Sequence, residues 1–227
     1  MKKIYVYRFS VKEEVLVLSY RPDRVVYKEA IMTNNPNLVL GRKNSFLGFH
    51  VIDLPKKIIR VIKRKIGLSI FKENPTIKSG KVAVAPYGGM FFHKNLIDTI
   101  AYPREEFFVY SDDHEWSYRI TKNKGTIYLV LNSEIKDIDI SWNVNKKESV
   151  FSVISKGEPF RVYYSVRNRV YFDLKYLVKN KFIYKINMYL FIIILQFFRN
   201  RSNLKRYKVF KKAINDGMNN RLGKIDL

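Results

Sequence analysis

Cysteine is absent from all 227 residues, which excludes a disulfide framework and any thiolate metal site and suits a reducing compartment. No apolar run approaches the ~20 residues needed to span a bilayer. Acidic side chains are scarce, 20 against 43 Lys and Arg, giving a formal charge of +23. Such an imbalance calls for an anionic partner: nucleic acid, phospholipid, or a nucleotide or lipid pyrophosphate. The histidines at 50, 93 and 114 are too scattered to mark a metal site by themselves. A glycine-rich phosphate loop, a Gly-x-Ser-x-Gly elbow and a His-Glu-x-x-His pair are all missing. No internal repeat or low-complexity segment is visible. The opening MKKIYVYRFSVKEEV starts basic, but Arg8, Lys12, Glu13 and Glu14 break any apolar stretch of a signal peptide. A cytoplasmic location is the expectation.

What is present belongs to a folded protein. Hydrophobic residues make up 47% and aromatics 15%, too much for disorder, and the length fits one large domain or two small ones. Residues 4–9 and 15–20 read as short strands, whereas 25–32 is too short to assign. Residues 33–53 read as a long Asn- and Gly-rich loop whose Phe46, Leu47, Phe49 and Val51 pack down. Pro55 opens a short helix with apolar residues at 58, 59, 62 and 66 and basic ones at 56, 57, 60, 63, 64 and 65, closed by Gly67. That helix suits a solvated face, a membrane surface, a polyphosphate or nucleic acid.

The chain is organised around residues 82–119. KVAVAP (81–86) reads as a strand entering a Gly88-Gly89 turn. MFFHKNLIDTIAY then passes from a strand end into a short helix. EFFVY (106–110) reads as a buried strand, residues 113–125 as a helix closed by Gly125, and TIYLVL as the next strand. Asp112, Asp113 and Glu115 crowd the start of that helix, with Arg119 one turn on. Negative charge there complements the macrodipole. Capping alone needs only one carboxylate, so this density points to chemistry. Asp137 and Asp139 alternate with isoleucines; on a strand they share a face and suit one cation, or else the polar side of an edge strand.

Farther on, FRVYYSVRNRVYFDLKYL (160–177) reads as a helix whose Arg161, Arg167 and Arg169 are candidate phosphate ligands. The apolar run 188–198, flanked by Lys181, Lys185, Arg199, Arg201, Lys205 and Arg206, suits either a helix in the headgroup region or a buried one. The closing stretch, from 206 on, is polar and basic, with glycines expected to stop any helix.

The run GGMFFHKNLIDTIAYPREEFFVYSDDHEWSYRITKNKGTIYLVLNSEI resembles the acceptor half of family 2 glycosyltransferases of GT-A fold, of the rhamnosyltransferase and galactofuranosyltransferase type. YYSVRNRVYF and KKAINDGMNNRLGK are similar to later motifs of that family, so the likeness covers roughly 81–224. It implies an α/β fold: a partial GT-A-like mixed sheet with flanking helices, then a C-terminal helical, membrane-associating region. Three parts are expected: an N-terminal portion (1–80), the acceptor and catalytic-base region (81–145), and a basic membrane-proximal region (146–227).

By the same resemblance, Asp113 is the general base that deprotonates the acceptor hydroxyl, and Asp112 orients the acceptor or the metal shell. Glu115 and Arg119 brace the helix beside the acceptor, and Gly88 and Gly89 let backbone approach it. Mg²⁺ or Mn²⁺ is the expected cofactor, with Asp112, Asp137 and Asp139 as candidate ligands; the late histidine usual in the family has no counterpart here. Expected partners are a nucleotide-sugar donor, a glycan or lipid-linked acceptor, and the inner membrane face. The family's donor-binding half and its Asp-x-Asp motif are missing before residue 81, so the chain reads as a truncated or split reading frame, or as one whose partner chain supplies them. The competing reading is a non-catalytic basic module for membrane or nucleic acid. Clustered carboxylates, which repel a polyanion, argue against it.

Overall fold

The computed structural model describes residues 14–67, 74–136, 154, 157–197 and 204–226. The chain is an α/β protein with a four-stranded mixed sheet and flanking helices. The strands are β1 (Val15–Tyr20), β2 (Ser79–Val82), β3 (Met90–Phe92) and β4 (Thr126–Glu134), in the order β2-β4-β1-β3. β1 runs parallel to β4, with Leu16 beside Ile127 and Leu18 beside Leu129, and antiparallel to β3. β2 pairs antiparallel with β4. Leu16, Leu18, Ile127 and Leu129 are buried because positions two apart share a sheet face. That face packs on helices α1 (Val25–Met32), α3 (Leu96–Ile100) and α4 (Asp112–Lys122).

The segment 25–32, unassigned from sequence, is helical because Tyr27, Ala30 and Ile31 present one buried face to this core. The long loop at 33–53 does pack down. Phe46 and Phe49 exchange backbone hydrogen bonds around a tight turn and set their rings edge-on against Phe191. Val51, by contrast, stays exposed. Helix α2 (Leu54–Lys65) follows where the Pro55 signal places it.

A second core joins α5 (Pro159–Phe172), α6 (Lys181–Phe197) and α7 (Leu204–Met218) to the Phe46–Phe49 turn. A π-helical turn, Asp173–Leu177, extends α5. None of the described helices is long and apolar enough to cross a membrane.

Three sequence readings need correction. The strand expected at 81–86 ends at Val82, because the backbone beyond it is claimed by α4 and by the neighbouring loop. Ser117 Oγ accepts from Ala85 N (2.9 Å) and donates to Ala85 O (3.0 Å), Thr121 Oγ1 donates to Ala83 O (3.0 Å), and Ala83 N donates to Pro36 O. EFFVY is not a strand: Glu105–Phe107 form a 3₁₀ turn, and Phe108, Tyr110 and Ser111 take positive φ. The closing segment is a 15-residue helix that runs through Gly217. There glycine lets α7 approach α5, since a Cβ would lie 2.6 Å from the carbonyl oxygen of Arg167. The strand read at 4–9, and the end of the one read at 132–143, lie outside the described residues.

Candidate functional site

The loop that delivers the acidic cluster has no strand partner, so its carbonyls must find donors elsewhere. They find them on one turn of α5. Asn168 Nδ2 donates to Phe107 O (2.9 Å), Val109 O (2.8 Å) and Tyr110 O (2.8 Å). Arg167 Nη2 donates to Glu106 O and Phe107 O, both at 3.1 Å, and Nη1 donates to Gly223 O. Arg167 Nε donates to Asn168 Oδ1 (2.9 Å), which fixes the amide's orientation. Both side chains are fully buried, and the guanidinium also lies over the Tyr163 and Tyr164 rings. From α7, Asp216 accepts from Tyr163 (2.7 Å), Lys212 (2.9 Å) and Arg221 (3.0 Å). Burial pushes the Asp216 carboxyl up, but these partners outweigh it and hold it below the usual carboxylate range. The Arg-Asn and Asp-Gly pairs, far apart in sequence, thus meet behind the acidic loop.

The clamp holds three non-glycine residues at positive φ within four positions, a costly arrangement that collects at functional sites. Ser111, left-handed, hands the chain directly to α4. Asp112 and Asp113 occupy its first turn, and Asp113 Oδ1 accepts the His114 backbone N–H at 2.7 Å, so part of its role is capping. The Tyr87 hydroxyl faces Asp112 closely enough for each to shift the other's ionisation. Burial, and then the charge of Asp113, hold the Asp112 carboxyl above its ordinary value. Burial likewise raises Tyr87, with Asp112 adding to the shift. His114 is pushed down by burial against the opposing pull of Asp113, and its Nε2 lies 3.4 Å from the Tyr27 hydroxyl. The result is a pair of half-buried carboxylates at a helix start, bordered by neutral Tyr and His groups.

This corner lies at the carboxyl end of β1, where ligands commonly bind in open α/β sheets. Ser19 N donates to Gly89 O (2.9 Å), and Ser19 Oγ pairs with Ser133 Oγ (2.8 Å). Gly89 has φ +84°, and a Cβ there would lie 2.7 Å from Ile135 Cδ1 and 2.9 Å from Ser19 Cβ. Its close approach is therefore to its own chain, while Gly88 lies more openly, near the Arg21 guanidinium. A cavity of about 10 Å³, the room of about one water, lies between Ser19, Arg21, Arg24, Tyr27 and Pro86.

Glu115 is buried, with Oε2 accepting from Arg119 Nε (3.0 Å) and Nη2 and Oε1 accepting from Tyr176 (2.7 Å). Arg119 Nη1 continues to Ile100 O and Tyr102 O, both at 3.0 Å. This is the bracing role, and it ties α4 to α3 and to the π-helical turn. Asp137 and Asp139 lie outside the described residues. Among the described residues no group of three or more His, Asp or Glu gathers as a metal site.

Two of the arginines read as phosphate ligands serve the frame instead: Arg167 in the clamp, and Arg169 bound to Asp173 (2.7 Å) and Leu40 O (2.6 Å). Arg161 remains exposed. Sequence reasoning missed Tyr27, Tyr87 and Asn168 as parts of this corner, and only the Arg-Asn pair carried a signal. Compared with protein-family models, curated proteins and solved structures, the chain matches none.

Proposed function

We propose that the chain takes part in sugar transfer of the family 2 glycosyltransferase type, on a GT-A-like sheet. The acceptor is a cell-wall or lipid-linked glycan at the cytoplasmic face of a membrane. The observation that carries this reading is the carboxylate pair Asp112–Asp113, set half-buried at the start of α4 by a strained loop that a dedicated buried clamp holds in shape. A structural cap would need neither the second carboxylate nor the strain. The resemblance of the surrounding motifs supports the assignment of roles.

Asp113 acts as general base. Its carboxylate takes the proton of an acceptor hydroxyl as that oxygen bonds to the anomeric carbon of the donor, and the bond from that carbon to the diphosphate breaks. Asp112, beside Tyr87, orients the acceptor, while Glu115 and Arg119 keep the helix in place. Mg²⁺ or Mn²⁺ suits the hard oxygen donors of Asp112 and of Asp137 or Asp139, and when bound would offset charge on the leaving diphosphate. Nucleic acid is disfavoured as a ligand, because the carboxylate pair would repel it.

The test is Asp113→Asn, assayed beside wild type for transfer from UDP-galactose, UDP-galactofuranose and dTDP-rhamnose. Loss of a general base lowers transfer by about 10²–10⁴-fold, with acceptor binding and Tm nearly unchanged. Full activity in the variant refutes the assignment.

A further inference from the structure

Two helices leave apolar faces uncovered. On α2, Ile58, Ile59, Ile62 and Ile66, the last just past its end, keep helical spacing, and each is more than half exposed. The sequence of α2 has no acidic residue and six basic ones, of which Lys56 and Lys63 are exposed. On α6, one face (Tyr184, Asn187, Met188, Phe191, Leu195) enters the core. A second stripe, Phe182, Ile186, Tyr189, Ile193 and Phe197, steps by four, three, four and four residues and points outward, with Phe182 72% and Phe197 85% exposed. At 1.5 Å per residue α6 is about 25 Å long, and Lys181 and Lys185 stand exposed near its start.

Asn187 of α6 accepts from Val51 N (3.0 Å) and donates to Asn44 O (2.9 Å), which ties the turn that enters α2 to α6. Val51 and Ile52, just before α2 in the chain, are exposed as well. Apolar stripes left bare on a protein surface mark interaction sites. A nucleic acid would reward the lysines and leave the isoleucines and rings wet. A purely apolar partner would strand the lysines. An anionic bilayer rewards both, with side chains in the acyl boundary and ammonium groups among the phosphates. Basic residues near such a surface are drawn to its negative potential.

We propose that α2 and the outward stripe of α6 form a two-helix bed lying in the headgroup boundary of an anionic lipid bilayer, inserting the isoleucines and the Phe182, Tyr189 and Phe197 rings. This deepens the placement at a membrane face but rests on exposure and charge alone, so it stands or falls separately from sugar transfer.

The experiment is flotation of the full chain with vesicles of equal parts phosphatidylglycerol and phosphatidylcholine, against phosphatidylcholine alone. Ile58→Gln/Ile62→Gln and Phe182→Gln/Phe197→Gln are compared with wild type, each checked by circular dichroism. The expected result is binding that needs phosphatidylglycerol and drops about tenfold or more in each pair variant, because exposed side chains lose insertion without losing core contacts. Three results overturn the proposal. One is no binding to either vesicle. Another is binding abolished by salt but untouched by both variants, which is charge alone. The third is a concentration-dependent dimer that the same substitutions dissolve, which gives the faces to a second copy.

Discussion

Asn168→Asp isolates the clamp, because it replaces the amide –NH₂ by a carboxyl oxygen without changing volume. The lost donor serves Phe107 O, Val109 O and Tyr110 O. Phe107 O keeps Arg167, so the cost falls chiefly on the carbonyls of Val109 and Tyr110. Leaving a buried acceptor without its donor costs about 1–3 kcal/mol, which sums to about 2–6 kcal/mol over the two. The loop can reach water by relaxing, which favours the lower half, about 3 kcal/mol, out of a total stability of about 5–15 kcal/mol. With an m-value of about 2 kcal/mol/M, the urea midpoint moves down by about 1.5 M. Tryptophan fluorescence is a suitable readout, since Trp116 on α4 packs against Phe92 and donates to Ala101 O (2.7 Å). The same change at exposed Asn219 is the control and costs under about 1 kcal/mol. A midpoint for Asn168→Asp indistinguishable from the control refutes the clamp.

Two further tests follow from the packing. Burial raises the Asp173 carboxyl to about 6 against Arg169's opposing pull, from an ordinary 3.8. The folded state therefore binds the extra proton between those values, so this group's contribution to stability falls as pH rises from about 4 to about 6, by about 3 kcal/mol in all. Urea midpoints across that range should show Asp173→Asn losing this downward slope, and an unchanged slope contradicts the reasoning. Gly217→Ala, which on an open helix would gain up to about 1 kcal/mol, should instead cost about 1–3 kcal/mol, because the new Cβ meets the Arg167 carbonyl. A raised Tm shows that α5 and α7 are not in close contact there.

Legibility in the sequence follows the range of the forces involved. Helices α2 and α4 can be read because their signals are local: Pro55 and an apolar spacing for one, clustered acids and Gly125 for the other. The Glu115–Arg119 brace shows as a one-turn spacing. EFFVY reads as a strand because its residue types favour strands, and nothing within it announces that Asn168, about sixty residues on, takes its carbonyls. Gly217 reads as a stop because its use is a contact with another helix. Tyr27 and Tyr87 stay hidden among 16 tyrosines, since only the fold brings these two beside Asp113 and Asp112. On α6, composition reveals an apolar run but not that one side is covered and the other bare.

The parallel pairing of β1 with β4 also sets a schedule for the nascent chain. Val15 sits beside Thr126, a separation of 111 residues (126 − 15). At about 5–20 residues per second, Leu16 and Leu18 wait about 6–22 s after synthesis before Ile127 and Leu129 exist to pair beside them. Among the described residues, the strand partner made earlier is β3, three residues at the sheet's edge. Through that interval the first strand has helices for its buried face but lacks its long parallel partner, so the centre of the sheet closes only once residue 134 has been made.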